Sequence, residues 1–237
     1  MKPKSFLISL TVSLAICGSA YIGLLPLLAT LLLPGLILGI LISAWHLPWT
    51  QRAFTKNRTR QKFLDQVYRS GGFVEDEEVE DRVTRVGRRV ALAAGHSVDA
   101  IEFCVVKDQY IYACVYPLTN IVAISKGMYE DFRNDDELAS VLAHEVAHIC
   151  MYSETGQIPA TLTASKVWES KADQLAVEFV TRAGFDARRF AQCFWRYMGY
   201  QFLMGGDISD DKASTHPSYL KRIIAINRSI ESQICYE

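Results

Sequence analysis

The chain has 237 residues, half of them hydrophobic, and a formal net charge of −1 at pH 7. That balance gives no overall electrostatic reason to bind nucleic acid, and no Gly-rich phosphate loop is present. Six cysteines, at 17, 104, 114, 150, 193 and 235, are scattered without CxxC spacing, which argues against a disulfide framework or a cysteine zinc site. They read as small apolar residues, Cys150 included.

From Ser5 to Trp49 there is no Asp, Glu, Lys or Arg. A membrane span takes about 20 residues, so this run fits two, about 5–25 and 28–47, hinged near Pro26. Residues 1–50 are therefore expected to form a membrane anchor in contact with the lipid bilayer. Trp45 and Trp49 fall where an interfacial belt is expected, which makes His46 interfacial and not a ligand. Lys2 and Lys4 precede the run and Arg52, Lys56, Arg58, Arg60 and Lys62 follow it; cations on both flanks favour both ends inside. The rest of the chain is then expected in the cytoplasm. The alternative is export, with Gly18-Ser19-Ala20 as a small-residue cleavage site and the following domain on a periplasmic or other lumenal side.

After the anchor, a basic linker and short helix are expected over 51–74, followed by one domain over 75–237. Val79, Val83, Val86 and Val90 recur at spacings of four, three and four, predicting a helix over about 76–94. Three short β-branched and aromatic runs follow, 101–106, 110–115 and 121–125, and predict a small antiparallel sheet. Asn134 with the acids at 135–137 supplies an N-cap and first turn for a helix reaching about Met151. Gly156 to Pro159 breaks it; a helix over about 161–182 follows, ending before Gly184, and two more are read at 186–203 and 217–232. Polar residues from Gly205 to Ser214 predict a flexible loop between them. The fold class is α+β, mainly helical with a small sheet, preceded by a transmembrane hairpin.

The chemistry is concentrated in His144-Glu145-Val146-Ala147-His148. On a helix, residues four apart share a face, so the two imidazoles can hold one metal ion while Glu145 reaches the hydrolytic water. An accidental match remains the bland reading until a third ligand is found. Catalytic zinc takes three protein ligands and leaves one position open. Glu154 stands where another zincin class carries its third ligand, but that geometry needs Gly at 151 and this chain has Met151. Glu169 lies on the next helix, and an antiparallel pair joined by the turn at 155–160 brings it back against the histidines. Asp173, one turn later, points the same way and is a candidate to orient a ligand histidine. If the motif were accidental, Glu169 and Asp173 would belong to a solvated helix face.

The order Asp136 to Leu142 running into HEVAH, Glu169-x-x-Ala172-Asp173, Ala183-Gly184-Phe185-Asp186 and Thr215-His216-Pro217-Ser218 with Arg222 resembles the gluzincin endopeptidases. That family includes HtpX, the CAAX prenyl protease, OMA-type and BepA-like enzymes. The resemblance covers roughly 75–231 and implies a zincin-like metalloprotease domain with one Zn2+ per chain. In it His144, His148 and Glu169 are the ligands, Glu145 is the catalytic base, and Asp173 stands behind the ligands. It also implies a role for His216 and Arg222 near the metal, the histidine either stabilising the tetrahedral intermediate or capping the zinc at rest. Where the family carries Asn-Ala-Phe before the motif, this chain has Tyr112-Ala113-Cys114. The expected activity is hydrolysis of peptide bonds in unfolded or membrane-associated proteins, added as a strand along an open edge near 111–115 or 121–125. The alternative is a catalytically silent zinc-binding adaptor or chaperone of the same fold. The sequence carries no sign of oligomeric state.

Overall fold

Every residue from Glu137 to Ile149 is buried, so this stretch of the helix that carries the motif is enclosed on all sides, its polar residues Glu137, Ser140, His144, Glu145 and His148 included. The computed structural model describes residues 37–38, 42–43, 55–203 and 214–234. The chain divides into two compact units, Met1–Thr55 and Lys56–Glu237. Apart from residues 37–38 and 42–43, the expected anchor over 1–50 lies outside the described residues, as does most of the expected loop over 205–214. Among the described residues no helix is long and apolar enough to cross a membrane.

In the second unit, α1 (55–69) leads by way of Gly71 and Gly72, both at positive φ, into α2 (Glu77–Ala93), which Asp76 caps by accepting from the Glu78 and Val79 amides. Strands β1 (Glu102–Val106), β2 (Ala113–Tyr116) and β3 (Ile121–Ser125) follow, then α3 (Lys126–Asp131), α4 (Asp135–Thr155), α5 (Leu162–Arg182), α6 (Arg188–Leu203) and α7 (Tyr219–Ile234). The sheet corrects the expectation of an antiparallel one. Its order is β1-β3-β2, with β3 parallel to β1 and antiparallel to β2. The reason lies in β3, buried at all five positions. A strand apolar on both faces belongs at the centre of a sheet covered on both sides. Val122 and Ile124 enter the main core, while Ile121 and Ala123 meet Phe63 and Val67 of α1 on the other face. That leaves β2 at an edge.

Local chemistry sets the ends of the two long helices. Asn134 Oδ1 accepts from the Glu137 amide, and Glu137 Oε2 returns to accept from the Arg133 amide, a variant of the capping box shifted to the residue before the cap. At the far end Gly156 adopts φ 65° and its amide bonds the Tyr152 carbonyl, a left-handed stop. Thr161 caps α5, so only residues 156–161 join the pair.

The start of α4 is also held electrostatically. Arg196 of α6 donates to Asp131 at 2.7 Å and through both terminal nitrogens to Glu137 at 3.1 and 2.9 Å. The Glu137 side chain is 2% exposed. Removing one partner of a buried pair leaves an uncompensated charge, so Arg196→Met is expected to lower unfolding stability by about 3 kcal/mol or more. Arg85→Met, at an exposed pair with Asp135, should cost less than about 1 kcal/mol. Urea denaturation of both variants in the same detergent checks the contrast.

Candidate metal centre

Residues 144 and 148 are one helical turn apart on α4, and α5 returns antiparallel beside it to present Glu169 and Asp173. His144 Nε2 lies 3.2 Å from His148 Nε2 and 3.2 Å from Glu169 Oε2, and His148 Nε2 lies 3.4 Å from Glu169 Oε1. Donor atoms of these three residues are mutually within 4.8 Å. For metal–ligand bonds of 2.0–2.1 Å, a tetrahedral centre spaces its donors about 3.3 Å apart. The observed separations fit. So does the state of Glu169 Oε2, which is buried with no hydrogen-bond partner although nitrogen atoms surround it. Two imidazoles and a carboxylate form a donor set of the catalytic zinc type, with three protein ligands.

The charges around the trio are strongly coupled. Asp173 is 1% exposed; its Oδ1 lies 2.9 Å from His144 Nδ1, and Arg222 clasps it with Nη2 to Oδ1 at 2.6 Å and Nε to Oδ2 at 2.8 Å. With Nδ1–H directed at Asp173, His144 turns Nε2 toward His148 and Glu169, which fixes the tautomer a ligand needs. Burial disfavours the His144 imidazolium, yet Asp173 and Glu169 outweigh burial and push its pKa up to about 9. Burial alone would raise Glu169, but the two imidazoles hold it far below the usual carboxylate range. Two carboxylates that draw a proton onto a buried histidine mark a place where a cation is favoured.

His216 reaches the same carboxylate from the segment before α7. Its Nε2 lies 3.4 Å from Glu169 Oε2, and its side chain is 52% exposed. Arg222, six residues later, is 6% exposed, stacks over the Phe194 ring at 4.2 Å, and is engaged by Asp173. Glu145 is buried at 8% exposure and, with the two histidines, Glu169 and His216, lines a cleft of about 290 Å3. Glu154 is exposed and stands outside the donor group. Cys150 sits 3.3 Å from His96 Nε2, and burial followed by Glu154 pushes its thiol up to about 11. Sequence reasoning passed over Trp168, whose indole stacks on His148 at 6.4 Å and 12°, although its place next to Glu169 was a signal.

A helix pair presenting two histidines and a glutamate across a short turn, beside an edge strand, defines a gluzincin-type metallopeptidase domain. A family profile, Peptidase family M48, matches residues 77–158 and 151–230, and the chain belongs to that family. It is similar to a putative beta-barrel assembly-enhancing protease of Vibrio cholerae, 23% identical over 163 residues, covering 52% of this chain and 34% of that protein. It is also similar to the mitochondrial metalloendopeptidase OMA1 of Arabidopsis thaliana, 27% identical over 181 residues, covering 62% of this chain and 36% of that protein. The chain thus spans about a third of the length of these curated relatives.

Because Asp173 orients His144 without joining the donor group, Asp173→Asn is expected to weaken zinc binding by about 10- to 100-fold. Glu154→Ala should leave it unchanged. Competition against a chromogenic chelator measures both; the reverse order would sink the ligand assignment.

Proposed function

We propose that this chain is a membrane-anchored, zinc-dependent endopeptidase acting on unfolded or membrane-associated polypeptides. The observation that carries the reading is the tetrahedral spacing of His144, His148 and Glu169 donors with Glu145 on the next residue of the same helix. The chemistry zinc supplies when bound is polarisation of the scissile carbonyl and activation of a water. Glu145 accepts a proton from the attacking water and passes it to the leaving amine. Asp173 keeps His144 in its ligand tautomer, and Arg222 holds Asp173 in place. His216, half exposed and outside the ligand trio, faces the substrate and donates to its carbonyl oxygen. Substrate backbone pairs with edge strand β2, whose Ala113 and Val115 line the cleft, which favours extended segments.

The anchor rests on the uncharged run from Ser5 to Trp49, and the flanking cations support a cytoplasmic catalytic domain. An anchored site meets membrane proteins at high effective concentration. The silent-adaptor reading is disfavoured because structural zinc sites use four protein ligands, whereas here three converge and a carboxylate that is not a ligand sits beside them.

The test is full-length protein in detergent, with bound zinc and casein cleavage measured together. The parent should carry about one zinc per chain and cut casein. Glu145→Gln should keep its zinc and lose about 10²- to 10⁴-fold of the rate. His216→Ala should bind zinc with unchanged affinity and lose about 10²-fold in kcat; weakened zinc binding would make it a ligand instead. Zinc-loaded parent protein that cuts no polypeptide moves the assignment to the adaptor.

A further inference from the structure

No Asp or Glu occurs before Asp65, and the first 64 residues carry seven Lys or Arg. The remaining residues hold 18 cations against 26 acids. Charge is therefore divided along the chain, a basic front leading into an acidic catalytic unit. Helix α1 is where the two meet.

α1 has two faces. Phe63 and Val67, each 2% exposed, pack under the sheet with Ile121 and Ala123 of β3. The helix also grips the edge strand, for the Phe63 ring lies 4.9 Å from that of Tyr116 and the Tyr116 hydroxyl donates to Gln66 Oε1 at 2.8 Å. α1 thus belongs to the folded unit. Residues 58, 62, 65 and 69 recur at spacings of four, three and four, which places them on one helix face, away from Phe63 and Val67. Three of them are Arg58, Lys62 and Arg69, all exposed and without an ion pair among the described residues. The fourth, Asp65, accepts from Gln61 Nε2 at 3.0 Å. Tyr68 beside the row is 75% exposed, an amphipathic ring of the kind that sits at a bilayer interface.

α1 begins at residue 55, six residues after the uncharged run from Ser5 to Trp49 ends. Six residues span at most about 20 Å, so a bilayer holding that run is within reach of the basic row. Anionic headgroups attract each nearby Lys or Arg and repel the acidic remainder, so the row selects which side of the unit faces the bilayer. Guanidinium groups add paired N–H bonds to phosphate oxygens. An anchor alone requires no particular headgroup and leaves the unit free to turn.

We propose that α1 is a docking surface for anionic phospholipid headgroups, bound through Arg58, Lys62 and Arg69, and that it seats the sheet side of the catalytic unit on the membrane. This rests on the membrane-anchored reading given above.

The test uses full-length protein without substrate in nanodiscs of phosphatidylcholine alone, or with roughly a third of it replaced by phosphatidylglycerol. A water-soluble reagent acetylates exposed amines, and mass spectrometry gives the rate at each lysine. Lys62 should react about threefold or more slowly in the anionic discs, and about 1 M NaCl should abolish the difference. Lys171, exposed on α5, should react alike in both. Arg58→Glu with Arg69→Glu, at two exposed positions, should free Lys62 in anionic discs, whereas Arg58→Lys with Arg69→Lys should keep most of its protection. Equal Lys62 rates in the two lipids, equal slowing at Lys171, or protection that survives the charge reversal overturns the inference and leaves the peptidase and anchor readings standing. Protein that does not enter the discs overturns the anchor reading and this inference together.

Discussion

Six ionisable groups, His144, Glu145, His148, Glu169, Asp173 and Arg222, are each less than 10% exposed, and the architecture depends on how their charges compensate one another. Moving an ion out of water costs several kcal/mol even after relaxation. Asp173 meets this cost with a bidentate guanidinium and an imidazole N–H. Glu169 meets it only partly, through two imidazoles and with one oxygen unpartnered. A divalent cation held by His144, His148 and Glu169, as proposed, would complete what the protein's own charges leave incomplete, and would couple metal binding to the packing of α4 on α5 and α5 on α7.

The surrounding elements keep that cluster dry and in register. α4 is central, with α2, α5, α6 and two strands packed around it. Its start is fixed twice, by the Asn134 cap and by Arg196 reaching from α6. Its end is fixed by the left-handed Gly156. With both ends determined, the histidines have no freedom to slide along the helix axis relative to Glu169. The sheet is covered by α1 on one face and the main core on the other, which holds β2 firmly while leaving it at an edge.

What was legible in the sequence was local. The HEVAH spacing, Asn134 as a cap and Gly156 as a helix breaker each act within a few residues, and all three appear where local rules put them. Glu169 was reachable because a turn of about six residues permits only an antiparallel return. The strand order was not legible: β3 lies between β1 and β2 because both its faces find cover, on one side from α1, about fifty residues earlier, and on the other from a main core assembled from many elements. Helix α3 escaped notice because six residues hold too little periodicity, and Ser125, which caps it, also ends a strand. Arg196 carried no signal at all, since its partners are 65 and 59 residues away. The resemblance brought Arg222 to the site, but its clasp on Asp173, across 49 residues, is a fact of the fold.

That clasp determines how the two sides of the centre are related. Arg222 lies in the first turn of α7, its amide bonded to the Ser218 carbonyl, and His216 stands six residues before it. Because the guanidinium is both paired to Asp173 and stacked on Phe194, α7 cannot move away without exposing an unpaired buried carboxylate, at a cost of about 3–5 kcal/mol. Thermal motion of the whole helix is therefore a poor way to reposition His216. Its reach toward Glu169 is set by the few residues from Ser214 to Ser218, which are exposed or half-buried. The same salt bridge that orients a ligand histidine thus fixes the base of the segment that presents His216. A substitution at Asp173 or Arg222 accordingly disturbs both the His144 side of the donor trio and the base of the segment before α7, whereas one at His216 removes only that side chain's approach to Glu169 Oε2.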